Sequence, residues 1–310
     1  DNNYKQFTTC LHGGFDGLDI TEREPFANRN IGTTEKTSYE LHSLRRAINV
    51  VRDPEVVEFN VITVPGVTAT GVTDYLLDVT EDRGDAIAII ERGLNNSYGA
   101  AYYPWVRIQD TVSGQALWAP PSVAALGAFS FTDRVRAPWY APAGFARGGL
   151  SEGAGGVPVL DVSRRLTSDE RDELYAANIN PIAQFPAEGI VIFGQKTLQV
   201  TRSALDRINV RRLMVFLKKE ISFIASRMLF DQNTQSTWNR FIGQAEPILR
   251  SVQSRFGLEE FRLILDESTT TPDLVDRNII YAKILLKPTR TAEFFAIDFV
   301  ITNTGASFAD

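Results

Sequence analysis

Hydrophobic positions in the first third of the chain alternate between helical and extended patterns. Apolar side chains recur at helical spacing over residues 35–51 and 70–82. Apolar runs over residues 59–64, 86–90 and 99–108 predict buried strands. Strands that alternate with helices in this way indicate a parallel sheet covered by helices on both faces. We therefore predict an α/β fold for this part of the chain.

The stretch from Asn180 to Arg227 carries the clearest local pattern. A short charged helix over residues 167–177 is expected to end at a turn over residues 178–182, and residues 189–193 read as a buried strand. Ser203 and Asp206 then predict the start of a long helix. Its apolar side chains fall on one stripe, with arginines and lysines placed off it: Val210, Leu213, Leu217, Ile221, Ile224 and Met228.

A second amphipathic helix is predicted over residues 234–256. Pro247 is expected to kink or divide it, and Gly257 is expected to cap its end. Apolar and polar residues then alternate in three segments, which predict half-buried strands of an antiparallel or mixed sheet: 261–265, 280–286 and 295–301.

A glycine-rich loop over residues 147–156 is the best candidate for a domain boundary. We predict an α/β domain over residues 1–155 and a smaller α+β domain, with the long amphipathic helices and a β-sheet, over residues 156–310. A chain of 310 residues is long enough for two cores of ordinary size.

Charge and composition argue against several classes of function. Acidic side chains outnumber basic ones by 38 to 32, which argues against general nucleic-acid binding. No apolar run approaches the roughly 20 residues of a membrane span, so no membrane insertion is expected. The sequence begins at Asp1 without a methionine, which predicts a fragment or a processed form.

The residues that usually carry catalysis are scarce. The chain has one cysteine, Cys10, and two histidines, His12 and His42, and it lacks the Gly-x-Ser-x-Gly sequence of hydrolases. The glycine loop at 13–17 lacks the Gly-Lys-Ser/Thr that holds phosphates. We expect no catalytic residues, no metal site and no cofactor.

Two segments that contain an Asp-Arg pair are candidates for a structural or an intersubunit contact. Asp206-Arg207-Ile208-Asn209 and Asp276-Arg277-Asn278 each predict an ion-paired cap, and arginine in such a place can also reach a partner chain. A structural corner and an intersubunit contact both remain open at this point.

Several blocks of the sequence resemble the contractile tail sheath proteins of myophages. The resemblance keeps the order of the blocks and is strongest from Asp161 onward. The blocks are Gly13-Gly14-Phe15-Asp16-Gly17, Pro120-Pro121-Ser122, Thr132-Asp133-Arg134, Ala141-Pro142-Ala143-Gly144, Asn178-Ile179-Asn180-Pro181, residues 189–197, residues 206–213, residues 272–278 and residues 299–308.

The resemblance implies a subtilisin-like three-layer α/β domain without a catalytic triad, followed by an inner C-terminal domain. It implies a structural subunit that forms stacked hexameric rings around a tail tube. Contraction of these rings would drive the tube through the host envelope for genome delivery. The implied partners are further copies of the chain, the tail tube protein, and baseplate and tail terminator proteins. The implied location is the tail of the virion, with assembly in the host cytoplasm.

Five basic residues are the candidates for contact with the tube or with a neighbouring subunit: Arg207, Arg211, Arg212, Lys218 and Arg277. Family members are usually longer at both ends, so we expect the present chain to be monomeric or weakly associated. The alternatives are the sheath of an R-type bacteriocin or other contractile injection system and, more remotely, a subtilisin-like hydrolase. A nucleotide-driven motor is a further alternative, but the chain has no phosphate-binding loop.

Overall fold

The computed structural model describes residues 21–34, 36, 38–91, 96–153 and 156–293. Ten strands and seven α-helices are assigned within these ranges. Their bounds are α1 (Tyr39–Val50), β1 (Val61–Thr63), α2 (Thr70–Arg83), β2 (Ile87–Ile90), β3 (Gly99–Tyr103), β4 (Val106–Gln109), β5 (Ala116–Ala119), α3 (Pro121–Val135), β6 (Val159–Val162), α4 (Ser168–Ala176), β7 (Ile179–Phe185), β8 (Gly189–Ile192), α5 (Ile208–Ser226), α6 (Gln235–Ser254), β9 (Leu258–Ile264), α7 (Pro272–Asp276) and β10 (Lys283–Pro288).

A five-stranded sheet in the order β1-β2-β3-β7-β8 forms the centre of the fold. Its first four strands are parallel, and β8 returns antiparallel to β7. All four residues of β2 are buried. Ile87 and Ile89 pack towards α3, whereas Ala88 and Ile90 pack towards α1 and α2. Helices on both faces confirm the predicted α/β class.

The apolar run over residues 99–108 is divided into two strands. β3 joins the central sheet, and β4 lies in a three-stranded antiparallel sheet in the order β5-β4-β6. Pro104, between the two strands, has no N–H to donate to a ladder, so a strand pairing ends there.

The turn predicted over residues 178–182 is wrong. Ala177 and Asn178 make the turn after α4, with φ of Asn178 at +62°, and the next residues form β7, which lies between β3 and β8 in the central sheet. The predicted helix start was correct: Thr167 caps α4, and Glu170 completes a capping box. The helix therefore ends where the sequence predicted, but the turn finishes at Asn178 and residues 179–182 are extended.

The amphipathic helices α5 and α6 pack against each other and against the antiparallel pair β9 and β10. The predicted stripe of α5 is buried or half-buried along its whole length. Pro247 lies inside α6 and does not divide it.

The helix cap after α6 differs from its prediction. Phe256, not Gly257, takes the left-handed conformation, with φ at +61°. Gly257 N donates to Val252 O at 2.9 Å, and Phe256 N donates to Gln253 O at 3.0 Å, as in a Schellman motif. A Cβ at Gly257 would lie 2.5 Å from Val252 Cγ1, so the glycine provides room for close packing.

The strands after residue 155 bear on the predicted domain boundary. β6, β7 and β8 follow residue 155, and β6 and β7 pair with β4 and β3, which precede it. The α/β unit thus continues at least to Ile192, and the division into two domains stays a prediction. Cys10, His12, the glycine loop at 13–17 and the strand predicted over 295–301 lie outside the described residues.

Candidate assembly surface

Asn180 organises the segment that leads from the central sheet to α5. It is fully buried in β7, where its Nδ2 donates to Ala101 O at 3.1 Å and to Lys196 O at 2.8 Å. Its Oδ1 accepts from Lys196 N at 2.7 Å. A buried amide must find such partners, because an unmade hydrogen bond there costs about 1–3 kcal/mol. The amide thus fixes the loop over 194–197 against the sheet.

Gly194 allows this loop to approach the sheet. A Cβ at Gly194 would lie 2.9 Å from Asn180 Oδ1 and 3.0 Å from both Pro181 Cδ and Tyr175 Cε2. Lys196 Nζ donates to Tyr175 O at 2.6 Å and lies 4.3 Å from the centre of the Tyr175 ring. Burial, together with the nearby Arg207, lowers the pKa of Lys196.

Arg207, the residue before α5, forms a clamp with Glu293. Its Nε donates to Glu293 Oε1 at 2.6 Å and its Nη2 to Glu293 Oε2 at 3.0 Å. Tyr175 Oη donates to the same carboxylate at 2.9 Å, and Gln195 Nε2 donates at 3.2 Å. We call these four residues the Glu293 clamp. It joins the last described residue of the chain to the N-terminal end of α5.

Arg211 is buried, with 6% of its surface exposed. Its Nε donates to Ser97 O at 3.0 Å, and its guanidinium carbon lies 4.0 Å from the centre of the Tyr98 ring. Burial lowers its pKa. The side chain holds α5 against the segment that enters β3.

Arg212 is also buried, with 4% of its surface exposed. Its Nη2 donates to both carboxylate oxygens of Asp133, at 2.7 and 2.5 Å. Its guanidinium carbon lies 4.6 Å from the centre of the Phe129 ring. Arg212 therefore joins α5 to α3.

The other two candidates are exposed. Lys218 Nζ donates to Arg83 O at 3.0 Å. Arg277 makes a long ion pair with Asp273, at 3.8 Å, in which both side chains are largely exposed. The arginine-rich face that we expected to be free is thus mostly occupied within the chain. Contact of any of the five residues with a tube or a neighbouring subunit stays a prediction.

The hydrolase alternative requires a serine nucleophile that is accessible to substrate, and Ser122 is a serine paired with a carboxylate. Ser122 Oγ donates to Glu91 Oε1 at 2.5 Å, at the start of α3. Ser122 is 1% exposed, so its hydroxyl cannot reach a substrate. Among the described residues, no group of three or more metal-ligating side chains is found. No helix in the same part of the chain is long and apolar enough to span a membrane.

Sequence reasoning missed three residues that position α5 and the loop that precedes it. Asn180 was assigned to a turn, and neither Asp133 nor Glu293 was considered as a partner of an arginine. The partners are 79 and 86 residues from Arg212 and Arg207 along the chain. Spacing within a helix cannot identify such distant partners.

The chain is similar to tail sheath proteins in sequence. Residues 200–302 match the family described as phage tail sheath C-terminal domain. The tail sheath protein of Vibrio phage KVP40 is 38% identical over 201 residues, 65% of this chain and 29% of the relative. That of Enterobacteria phage T4 is 32% identical over 191 residues, 62% of this chain and 28% of the relative. The chain thus spans less than a third of the length of these relatives.

Solved structures support the same relationship. The sheath complex of an extracellular contractile injection system, PVC, in the contracted state has a TM-score of 0.70 and 22% identity. The match covers 96% of this chain and 88% of that one, and at this identity it shows the fold alone. The anti-feeding prophage helical sheath in the contracted state has a TM-score of 0.65 and 25% identity, over 84% of this chain and 74% of that one. The chain is therefore similar to contractile tail sheath proteins, and its residues 200–302 match the family described as phage tail sheath C-terminal domain.

Proposed function

We propose that the chain is part of a structural subunit of a phage contractile tail sheath. In this proposal the complete subunit forms hexameric rings that stack helically around the tail tube. A signal from the baseplate releases contraction, which drives the tube through the host envelope and delivers the genome. The observation that carries the proposal is the match of residues 200–302 to the sheath C-terminal domain, together with 38% identity to a phage tail sheath protein.

The geometry supports a mechanical role for this domain. α5 is tied to the α/β unit through Arg211 and Arg212, and its N-terminal end is tied to Glu293 through Arg207. Buried arginines with planar, paired contacts resist displacement more than mobile surface pairs do. The helices and the central sheet can therefore move together as one body, as subunits do in transitions between two packings.

The partners and the location belong to the same proposal. They are further copies of the chain, the tail tube protein, and the baseplate and tail terminator proteins. The subunit would assemble in the host cytoplasm and act in the tail of the virion. The energy of contraction would be stored in the extended sheath, so addition of ATP should not change contraction.

A contractile injection system is the second candidate, favoured by the similarity to the PVC and anti-feeding prophage structures. The gene neighbourhood separates the two, since capsid and terminase genes accompany a phage sheath.

Sedimentation tests the proposed function. The complete protein is expected to sediment as large particles when its tube protein is present. Without the tube protein, it should do so only if the sheath protein forms tubes on its own. The chain described here is expected to sediment as a monomer or a weak oligomer. A complete protein that stays monomeric with its tube would contradict the proposal.

A further inference from the structure

Three phenylalanine rings form a cluster on the surface of the hairpin that β7 and β8 make. Phe145, Phe185 and Phe193 contact one another, with ring centres 5.1–5.7 Å apart. Phe145 is 49% exposed and Phe193 is 42% exposed. We call these three residues the phenylalanine cluster. Contiguous apolar rings on a surface, unlike single exposed residues, indicate an interaction site.

The cluster lies on the face of the hairpin that points away from α3. Ile182 and Ile192 pack into the core around α3. Phe185 and Phe193 are an odd number of positions from them, so their side chains point to the opposite face. The guanidinium carbon of Arg171, on α4, lies 5.0 Å from the centre of the Phe185 ring and 6.0 Å from that of Phe193. α4 therefore borders the cluster on one side.

The last described residue lies beside this cluster. Glu293 is bonded to Tyr175 and Gln195 in the Glu293 clamp. Tyr175 follows Arg171 by one turn of α4, a rise of about 6 Å. Gln195 follows Phe193 by two positions, at most about 7 Å of chain. The residues after Glu293 can therefore reach the cluster within about three positions.

The sequence after Glu293 is suited to such a contact. Apolar residues alternate over 295–301, which predicts an extended segment. In an extended segment the side chains of residues two positions apart point the same way. Phe295 is therefore expected to face the same side as Glu293, whose carboxylate points into the clamp, and Phe294 is expected to face the other side.

The amide of Gln195 gives a second, independent indication. The residue is 3% exposed, and its Nε2 donates to Glu293 Oε1 at 3.2 Å. Its Oε1 is buried and has no hydrogen-bond partner among the described residues. Buried acceptors are rarely left without a donor. A backbone N–H of the residues that follow Glu293 would supply that donor, because Glu293 is held by the same amide.

We propose that the phenylalanine cluster is the docking site for residues 294–297 of the same copy of the chain, with Phe295 packed against Phe193. The clamp and the cluster then hold the chain at two consecutive points. Residues 298–310 continue from there in a direction that the body of the chain sets. This inference concerns the single chain and does not depend on the proposed function.

A double-mutant cycle tests the contact. F193A and F295A should each lower the melting midpoint by about 2–4 °C, because each removes a buried aromatic contact. The variant with both changes should melt within about 1 °C of the lower single variant, because the two rings contact each other. F294A is the matched control, since it removes the same side chain one position away. Its midpoint should stay within about 1 °C of the parent, and its effect should add to that of F193A.

Three results would overturn the proposal. One is an additive effect of F193A and F295A. Another is an F294A variant that couples to F193A as strongly as F295A does. The third is a parent midpoint that falls by several degrees on dilution, because the cluster would then hold residues 294–297 of a second copy.

Digestion with chymotrypsin gives a readout at the docked segment itself. Cleavage after Phe294 and Phe295, followed by mass spectrometry at short times, should be at least about fivefold faster in F145A than in the parent, because a docked segment is inaccessible to the protease. F230A removes a fully exposed phenylalanine at the other end of α5 and should leave the rate unchanged. Equal cleavage of F145A and the parent would show that the cluster does not hold this segment.

Discussion

Charge reversal at Arg212 distinguishes a structural arginine from a surface one. In the R212E variant a buried carboxylate would replace a guanidinium that lies 2.5–2.7 Å from the carboxylate oxygens of Asp133. Loss of a buried ion pair costs about 3–5 kcal/mol. Asp133 keeps 38% of its side chain exposed, so we take the lower end, about 3 kcal/mol.

This free energy corresponds to a measurable melting shift. An unfolding entropy of about 2.1 cal/mol/K per residue over a chain of this length converts about 3 kcal/mol into a decrease of about 5 °C in the melting midpoint. Circular dichroism or differential scanning fluorimetry would measure it. R277E is the matched control, because Arg277 is 65% exposed, and its midpoint should change by less than about 1 °C. An R212E midpoint within about 1 °C of the parent would refute the assignment of Arg212 to the interior and restore it as a free surface residue.

Three further changes test the contacts around α5 and the central sheet. In G194A the new Cβ meets Asn180 Oδ1 at 2.9 Å, so overpacking should lower the free energy of unfolding by about 1–3 kcal/mol in urea titration; an unchanged midpoint would count against the tight loop. E293Q removes the charge from the Glu293 clamp and should lower the free energy of unfolding by about 2 kcal/mol, whereas E246Q, in an exposed helical pair, should leave it nearly unchanged. Burial raises the pKa of Glu91, so the carboxyl stabilises the fold below its unfolded pKa and loses that contribution as pH rises through its folded pKa. E91Q should therefore lose less stability than the parent as the pH rises from the unfolded pKa of Glu91 through its folded pKa, as measured by urea titration at a series of pH values; an identical pH slope would contradict the burial of this carboxyl.

Local sequence patterns predicted much of the fold because each long helix has one apolar face. The stripe from Val210 to Met228 and the helix start near Thr167 are short-range features, and both are present. The apolar run at Ile87–Ile90 predicted a strand buried on both faces for the same reason. These predictions depend only on neighbours within a turn or a strand.

The predictions that failed depend on distant partners. α5 packs against α6 on its apolar stripe, and its arginines meet Ser97 and Asp133, which lie 114 and 79 residues away along the chain. A helical projection therefore places Arg211 and Arg212 on a polar face without showing that this face is covered. Asn180 was taken for a turn residue because its strand pairing and its amide partners also come from elsewhere in the chain.

The candidate contact residues also show that local patterns do not identify distant partners. Arg207, Arg211 and Arg212 were chosen from the sequence as contacts with a partner. In the structure they bond within the chain, and their contact with a partner stays a prediction. The sequence predicted Gly257 as the cap of α6, because glycine is the usual residue at a left-handed position. Phe256 takes that conformation instead.

Cryo-electron microscopy of the complete protein assembled with its tube protein tests the central claim most directly. The account predicts striated tubes with six subunits per ring, in which the structure described here fits each subunit and residues 200–293 lie nearest the tube. Closed oligomers without helical stacking, or tubes in which residues 200–293 lie on the outer surface, would contradict it.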